Sequence, residues 1–341
     1  MTNGNTLLNN EDTQTGNAPI LLKPAAMHYL WGGRRLKDDY AKEISTEPLA
    51  ETWECSTHPN GPSIVASGPF EGMTLKQVLS LHPEFVGTHA SVEGELPILI
   101  KFIDAKKDLS IQVHPDDTYA REQEEGQLGK SEMWYVLDAE KDAELIYGLH
   151  YDMDAEKIRR CIADGTIEKY LRRVPVKKDD LFFVEAGTIH AIGKGCLIAE
   201  VQESSDLTYR LYDYNRLDIN GQKRPLHIEK ALSVANLKSS AEPRQPMRVL
   251  KYRQGYGTEL LCRCKYFQVY RMLVNTERCR SLAEYRTDSF SFCVLLCISG
   301  CGCIQFAGST LLFFKGDCIF VPADSLEMQI HGRAQFLEIK G

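Results

Sequence analysis

No basic run, no long apolar run and no CxxC pair occurs in these 341 residues. Each absence narrows the range of functions. The formal net charge is −7, with 40 lysines and arginines against 47 aspartates and glutamates, and no basic stretch offsets it locally. That balance argues against a nucleic-acid or anionic-membrane partner, while leaving room for a local basic pocket. No apolar stretch approaches the ~20 residues needed to cross a bilayer; the longest, FSFCVLLCISG at 290–300, is short and rich in strand formers. The opening residues MTNGNTLLNNEDTQTGNAP lack the cationic start and apolar core of a secretory signal. Residues 1–19 are therefore expected to form a disordered polar tail, and the protein to be cytoplasmic. In that compartment the eleven cysteines, eight of them between Cys262 and Cys318, should be mostly reduced thiols. Cys262 with Cys264, and Cys301 with Cys303, share a strand face, so a metal site is conceivable there. Without a CxxC pair, small hydrophobes filling a sheet interior is the favoured reading.

What is present is β-rich. The runs ELPILIKFID, LSIQVHP, MWYVLDAE, AELIYGL, DLFFVEAG, CLIAEVQ, YFQVYRML, FCVLLCISG, CIQFAG and CIFVPA alternate or concentrate strand formers. Gly, Asp and Pro turns separate them, a pattern that predicts a β-sandwich or barrel. Helical spacing is confined to MTLKQVLSLHPEFV, to a segment at about 154–174 ahead of Pro175, and to PLHIEKALSVANL. A short internal repeat relates DDLFFVEAGTIHA at 179–191 to GDCIFVPADSLEM at 316–328. Asp180 matches Asp317, Phe183-Val184 matches Phe320-Val321, and Ala186 matches Ala323. Two related β-barrel halves account for it, joined through the polar stretch KSSAEPRQPM at 238–247. One position differs informatively: His190 in the first copy is Glu327 in the second.

In LSIQVHPDD, residues 109–117, strand alternation puts Ser110, Gln112 and His114 on one face and Leu109, Ile111 and Val113 on the other. The apolar face is expected to pack against another sheet, which leaves the polar face either to solvent or to a pocket. Alone, this is most simply a half-exposed strand. Downstream, Glu132 leads into the apolar run of GKSEMWYVL, and His190 closes AGTIHA. A glutamine, two histidines and a glutamate are N/O donors suited to a borderline divalent ion such as zinc.

IQVHP, GKSEMWYVL, AGTIHAIG and SSDLTYRL, with HYLWGG and AETWECSTHPNGPS before them, resemble type I mannose-6-phosphate isomerase in its short bacterial form. The match runs in order from about His28 to Arg216. It implies a mainly β fold of two cupin-like (double-stranded β-helix, or jelly-roll) barrels with a small helical insertion. Residues 20–240 would form the metal-bearing catalytic domain, and 247–341 a degenerate cupin-like domain without metal. It implies one zinc ion per chain, held by Gln112, His114, Glu132 and His190. The activity implied is the interconversion of mannose 6-phosphate and fructose 6-phosphate through an enediolate, with a proton moved from C2 to C1. Lys130, Asp206 and Arg210 match active-site positions, while Lys101 and Ser110 match positions that meet substrate. Read without the resemblance, Lys130 is a solvated loop lysine, and Asp206 with Arg210 a surface ion pair. The partner implied is a small sugar phosphate, with no nucleic acid and no membrane, and the protein would be a monomer or homodimer.

Longer family members carry a histidine where this chain has Gly129, so the identity of the base stays open. Glu200 and Gln202 share a strand face and are expected on a solvated barrel wall; His58, His150 and His227 show no partner pattern. Two other readings compete. An iron oxygenase of the cupin class is disfavoured by Gln112 in the first ligand position. A non-catalytic sugar-binding or regulatory cupin is disfavoured by the presence of the whole residue set.

Overall fold

The structure is a computed structural model, and it describes residues 16–89, 95–217, 221–245, 249–278 and 281–341. The tail expected at 1–19 falls outside the described residues as far as residue 15. Asn17, just beyond it, donates to the carbonyls of Ala323 and Asp324.

In chain order the first half contains β1 (Ile20–Lys23), β2 (Ala25–Met27), α1 (Arg35–Asp38), β3 (Glu51–Cys55), β4 (Ile64–Val65), α2 (Leu75–Leu81), β5 (Ile98–Asp104) and β6 (Ile111–Val113). There follow α3 (Asp117–Gln123), β7 (Glu132–Ala139), β8 (Glu144–Leu149), α4 (Ala155–Ala163), β9 (Leu171–Pro175), β10 (Leu181–Val184), β11 (His190–Ile192), β12 (Cys196–Glu203), β13 (Tyr209–Tyr212) and α5 (Ile228–Val234). The second half is all β: β14 (Lys251–Arg253), β15 (Tyr256–Arg263), β16 (Gln268–Asn275), β17 (Ala283–Tyr285), β18 (Cys293–Phe306), β19 (Ser309–Phe314), β20 (Cys318–Val321) and β21 (Met328–Lys340).

Two antiparallel sheets face each other to make the first barrel, one in the order β10-β7-β12-β5-β3-β2 and the other β13-β6-β11-β8-β9. Trp134, Val136 and Ile198 from the first sheet meet Leu145, Val174 and Ile192 from the second inside it. Outside, Ile98, Phe102, Met133 and Val201 pack against Val294, Leu296, Phe320 and Ile339 of the C-terminal sheet. The central sheet is thus covered on both faces, and β5 and β12 are buried along their whole length.

The apolar face of β6 is covered differently from expectation. Ile111 and Val113 pack in a cluster with Ile158, Ile162 and Ala231, so helices α4 and α5, not a second sheet, close that side. The helical segment expected at about 154–174 is also shorter. Asp154 caps α4 by accepting from the Lys157 amide, and Gly165 at φ +66° follows its end. After a 3-10 turn at Ile167–Tyr170, Leu171–Pro175 pairs as β9 with β8. In that strand the buried Leu171 and Val174 anchor the hairpin, and cross-strand pairing outweighs the helical spacing.

The two halves are interlocked. β1 does not join the sheets of its own half: Ile20 pairs with Phe320 and Leu22 with Cys318, and β4 adds beyond it. The repeated segment appears as β10, turn, β11 in the first barrel and as β20, turn, β21 in the second. The described cysteines are free thiols, and most are buried. Among the described residues no helix is long and apolar enough to cross a membrane.

Candidate metal centre and its cavity

Strand register assembles the site. His190 on β11 lies directly opposite Gln112 on β6, and Arg210 on β13 lies opposite Gln112 from the other side. Across the barrel a second row runs Trp53–Lys101–Glu200–Trp134 over β3, β5, β12 and β7. Glu132 sits one pair further along, opposite Gln202. Both rows point inward because alternate residues share a face.

Ligating atoms of His114, Glu132 and His190 lie within 4.8 Å of one another, all three side chains buried. Glu132 Oε1 is 2.7 Å from His114 Nε2 and 3.3 Å from His190 Nε2. Yet His114 Nε2 and Glu132 Oε1 are buried without a hydrogen-bond partner, so the short approach lacks hydrogen-bond geometry. Each ring uses its other nitrogen on a backbone carbonyl: His114 Nδ1 on Leu207 at 2.7 Å and His190 Nδ1 on Thr188 at 2.7 Å. Those bonds set the tautomer and turn the Nε2 lone pairs toward a common point. The Gln112 amide reaches His190 Nε2 at 3.5 Å, and a half-turn of the amide brings Oε1 to the same place. Unpartnered buried donors converging in this way fit a divalent cation of the zinc class.

The charges around it support that fit. Burial, and then the Lys130 ammonium, push the His114 pKa down to about 3, so the ring stays neutral. Burial opposes ionisation of Glu132, but Lys130, a hydrogen bond from Glu200 and His114 outweigh it and hold the carboxyl well below its ordinary range. Glu200 goes the other way, raised first by burial and then by the Glu132 charge. The Trp134 indole donates to Glu132 Oε2 at 2.9 Å and to Glu200 Oε1 at 2.8 Å, tying the two carboxyls together.

A cavity of about 320 Å³ opens beside these residues, lined by Lys101, Ser110, Gln112, Lys130, Asp206 and Arg210. Lys101 lies 3.3 Å from Glu200 and 3.7 Å from Glu51, and over the Trp53 ring; those carboxylates outweigh burial and keep it charged. Lys130 is buried, 3.6 Å from Glu132, and is not the solvated loop lysine of the simpler reading. Asp206 and Arg210 do not form the surface pair. Asp206 accepts from Asn60 at 2.6 Å and lies 3.7 Å from His58, whereas Arg210 donates to the Pro225 carbonyl at 2.9 Å with its Nε buried and unpartnered.

Glu200 and Gln202 were expected on a solvated wall. Both are buried, and Glu200 lines the cavity, because their face of β12 is the inner wall of the barrel, closed by the opposite sheet. Glu51, Trp53 and Arg224 also line the cavity and carried no local signal in the sequence. Arg224 is held by Asp213 through two bonds of 2.8 and 2.7 Å, beside Arg210, whose pKa is lowered by burial and by the Arg224 charge. His58 and His227 are not idle either: one faces Asp206, and the other accepts from the Arg210 amide at 3.1 Å.

The loop entering β7 is clamped. Ser131 N donates to Glu203 Oε1 at 2.7 Å, Lys130 N to the Pro115 carbonyl at 3.0 Å, and Gly129 N to Asp117 Oδ1 at 3.1 Å. A Cβ at Gly129 would lie 2.4 Å from both Asp116 C and Asp117 N, so this backbone admits no side chain there. Gly129→Ala should cost ~1–3 kcal/mol in a denaturant melt, and an unchanged midpoint would show that the loop yields. Burial and the neighbouring Asp117 charge raise the Glu203 pKa to about 8. A raised carboxyl stabilises the fold fully below the ordinary range and loses that contribution as pH climbs through about 8. In metal-free protein, Glu203→Gln should therefore shrink the drop in melting temperature between pH 5 and pH 9; an identical drop would exclude Glu203 as its source.

Among known proteins, the type I phosphomannose isomerase catalytic domain matches residues 20–153, and the mannose-6-phosphate isomerase cupin domain matches residues 257–340. A putative mannose-6-phosphate isomerase of Bacillus subtilis is 40% identical over 92% of this chain and 96% of its own. The mannose-6-phosphate isomerase of Streptococcus mutans is 37% identical over 94% and 97%. The crystal structure of the Bacillus subtilis mannose 6-phosphate isomerase superposes with a TM-score of 0.86 at 37% identity, covering 94% of this chain and 99% of that one.

Proposed function

The chain belongs to the type I mannose-6-phosphate isomerases, and we propose that it works with one zinc ion held by Gln112, His114, Glu132 and His190. The observation that carries the metal is the pair of orphaned buried atoms, His114 Nε2 and Glu132 Oε1, 2.7 Å apart beside Gln112 and Lys130 of the cavity lining. Bound there, zinc supplies Lewis-acid polarisation of the sugar oxygens at which charge develops.

The remaining work falls to the protein. Isomerisation through an enediolate needs one group to take the C2 proton and deliver it to C1. Glu200 is the geometric candidate. It lines the cavity, is positioned by Trp134 and Lys101, and takes the proton in its ionised form. Lys130 and Ser110 present donors to sugar oxygens from the two sides of the cavity, and Lys101 offers a charge near the reacting end. Arg210, with an unpartnered Nε, stabilises negative charge or anchors substrate, and Asp206 orients the mouth through Asn60 and His58.

Arg224 with Arg210 forms the cationic end suited to the phosphate. Since one charge-assisted hydrogen bond contributes about 1.5–3 kcal/mol, Arg224→Ala should raise KM for mannose 6-phosphate roughly 10- to 100-fold with kcat little changed. An unchanged KM would place the phosphate elsewhere. Reduced thiols and a phosphorylated metabolite as substrate are consistent with a cytoplasmic enzyme, acting as monomer or homodimer.

A coupled assay on mannose 6-phosphate, with metal content measured on the same sample, tests the whole reading. Full zinc loading with no turnover would favour a sugar-binding cupin over an enzyme.

A further inference from the structure

The second barrel, expected to be a degenerate cupin-like domain without metal, contains a larger opening than the first. A cavity of about 1180 Å³ lies among β14–β19 and β21, against about 320 Å³ for the cavity beside the metal centre. Its interior is only partly filled. Met272, Leu295, Phe313 and Phe336 pack one end, while the other end is polar.

Register explains the polar end. Glu338 on β21 lies opposite Tyr270 on β16 and Leu295 on β18, so its carboxylate points into the barrel. It is 93% buried, at 7% exposure. The Tyr285 hydroxyl donates to its Oε1 at 2.9 Å, and the Lys340 ammonium lies 3.5 Å from the same oxygen. Arg253 and Lys251 stand exposed at the rim on β14. Tyr285 and Lys340 are both on Oε1, and an apolar residue at this position would pack with Leu295 instead.

The repeat supplies the second observation. Glu327, which occupies the place of ligand His190, lines this cavity. Where the first barrel has a buried histidine, the second thus has an exposed carboxylate at the edge of its cavity.

We propose that the C-terminal barrel binds a second small molecule, a polyol or sugar carrying a phosphate. Glu338 and Tyr285 pair with its hydroxyls, and Arg253, Lys251 and Lys340 pair with its anionic end. The half-exposed rings of Tyr256 and Tyr270 offer faces to its carbon skeleton. The volume, about 1180 Å³, lies somewhat above the ~300–1,000 Å³ typical of small-molecule sites. This site does not depend on the assignment of the metal centre.

Calorimetric titration of the full chain with a hexitol phosphate, which has no carbonyl to isomerise, tests it. Wild-type protein should bind two equivalents. Glu338→Gln and, separately, the rim variant Arg253→Ala should each weaken one of them about tenfold or more, leaving kcat/KM for mannose 6-phosphate within twofold. Arg253 is exposed, so that variant keeps the test valid if Glu338→Gln does not fold. Binding of one or two equivalents that neither variant weakens, or no binding, would overturn the proposal. Inorganic phosphate competing as tightly as the hexitol phosphate would overturn the polyol part and leave a simple anion site.

Discussion

Exhaustive chelation should reduce turnover of mannose 6-phosphate by at least ~1,000-fold, and zinc should restore it. The magnitude follows from losing several kcal/mol of charge stabilisation at the sugar oxygens, at about 1.4 kcal/mol per factor of ten. His114→Ala should produce the same loss without chelator, together with loss of zinc measured by elemental analysis. It should not unfold the barrel, because the packing of β6 comes from Ile111 and Val113 against α4 and α5, on the opposite face. Circular dichroism of the variant separates the two effects. Full activity in protein shown to be metal-free would sink the metal mechanism, whatever the fit of the donors.

Glu200→Gln should lower kcat by about 10²–10⁴-fold, the range expected for loss of general acid–base catalysis, while zinc stays near stoichiometric. The substitution keeps the shape and one acceptor for the Trp134 indole, so the Trp134–Glu132 bond and the ligand geometry survive. Exchange of the substrate's C2 proton with solvent deuterium should slow in parallel. The pH profile adds a sign. Burial and the Glu132 charge lift the ionisation of Glu200 above the ordinary carboxylate range. As a base it must be ionised, so kcat/KM should fall on the acid side as it takes up its proton, and that limb should be absent in the Gln variant. Undiminished C2 exchange in Glu200→Gln would assign the proton to another group, with Lys130 next in position at 3.6 Å from Glu132.

Arg210→Ala is a contrasting case. Arg210 lies opposite Gln112 in register but touches none of the three clustered ligands, so turnover should fall while bound zinc is retained. Co-loss of metal would mean that it braces Gln112.

Much of the centre is legible in the chain because its parts are local. Gln112 and His114 are two apart on a strand, Glu132 opens β7, and His190 opens β11 at the end of a repeated turn unit. Strand alternation alone places each on one face. The same alternation misleads at Glu200 and Gln202, since it tells which residues share a face but not what covers the face. Both sides of β12 are buried, one by the barrel interior and one by the C-terminal sheet. Nothing within β12 distinguishes a wet wall from a dry one.

The chain by itself determined the β-rich class, the duplicated turn unit, and four N/O donors that the fold brings close together. The tertiary structure decided what those donors stand among. It brought Glu51 and Trp53 from β3, Lys101 from β5 and Arg224 from beyond β13 to one cavity. It carried β1 across to pair with β20, and it made Gly129 a contact point for the α3 entry rather than a place for a side chain. The physical reason is the range of the interactions. Periodicity and turn chemistry act over a few residues, whereas sheet register and the burial of a second face are set by segments far apart in the chain, and it is that burial which raises the ionisation of Glu200 and sets Lys130 beside Glu132.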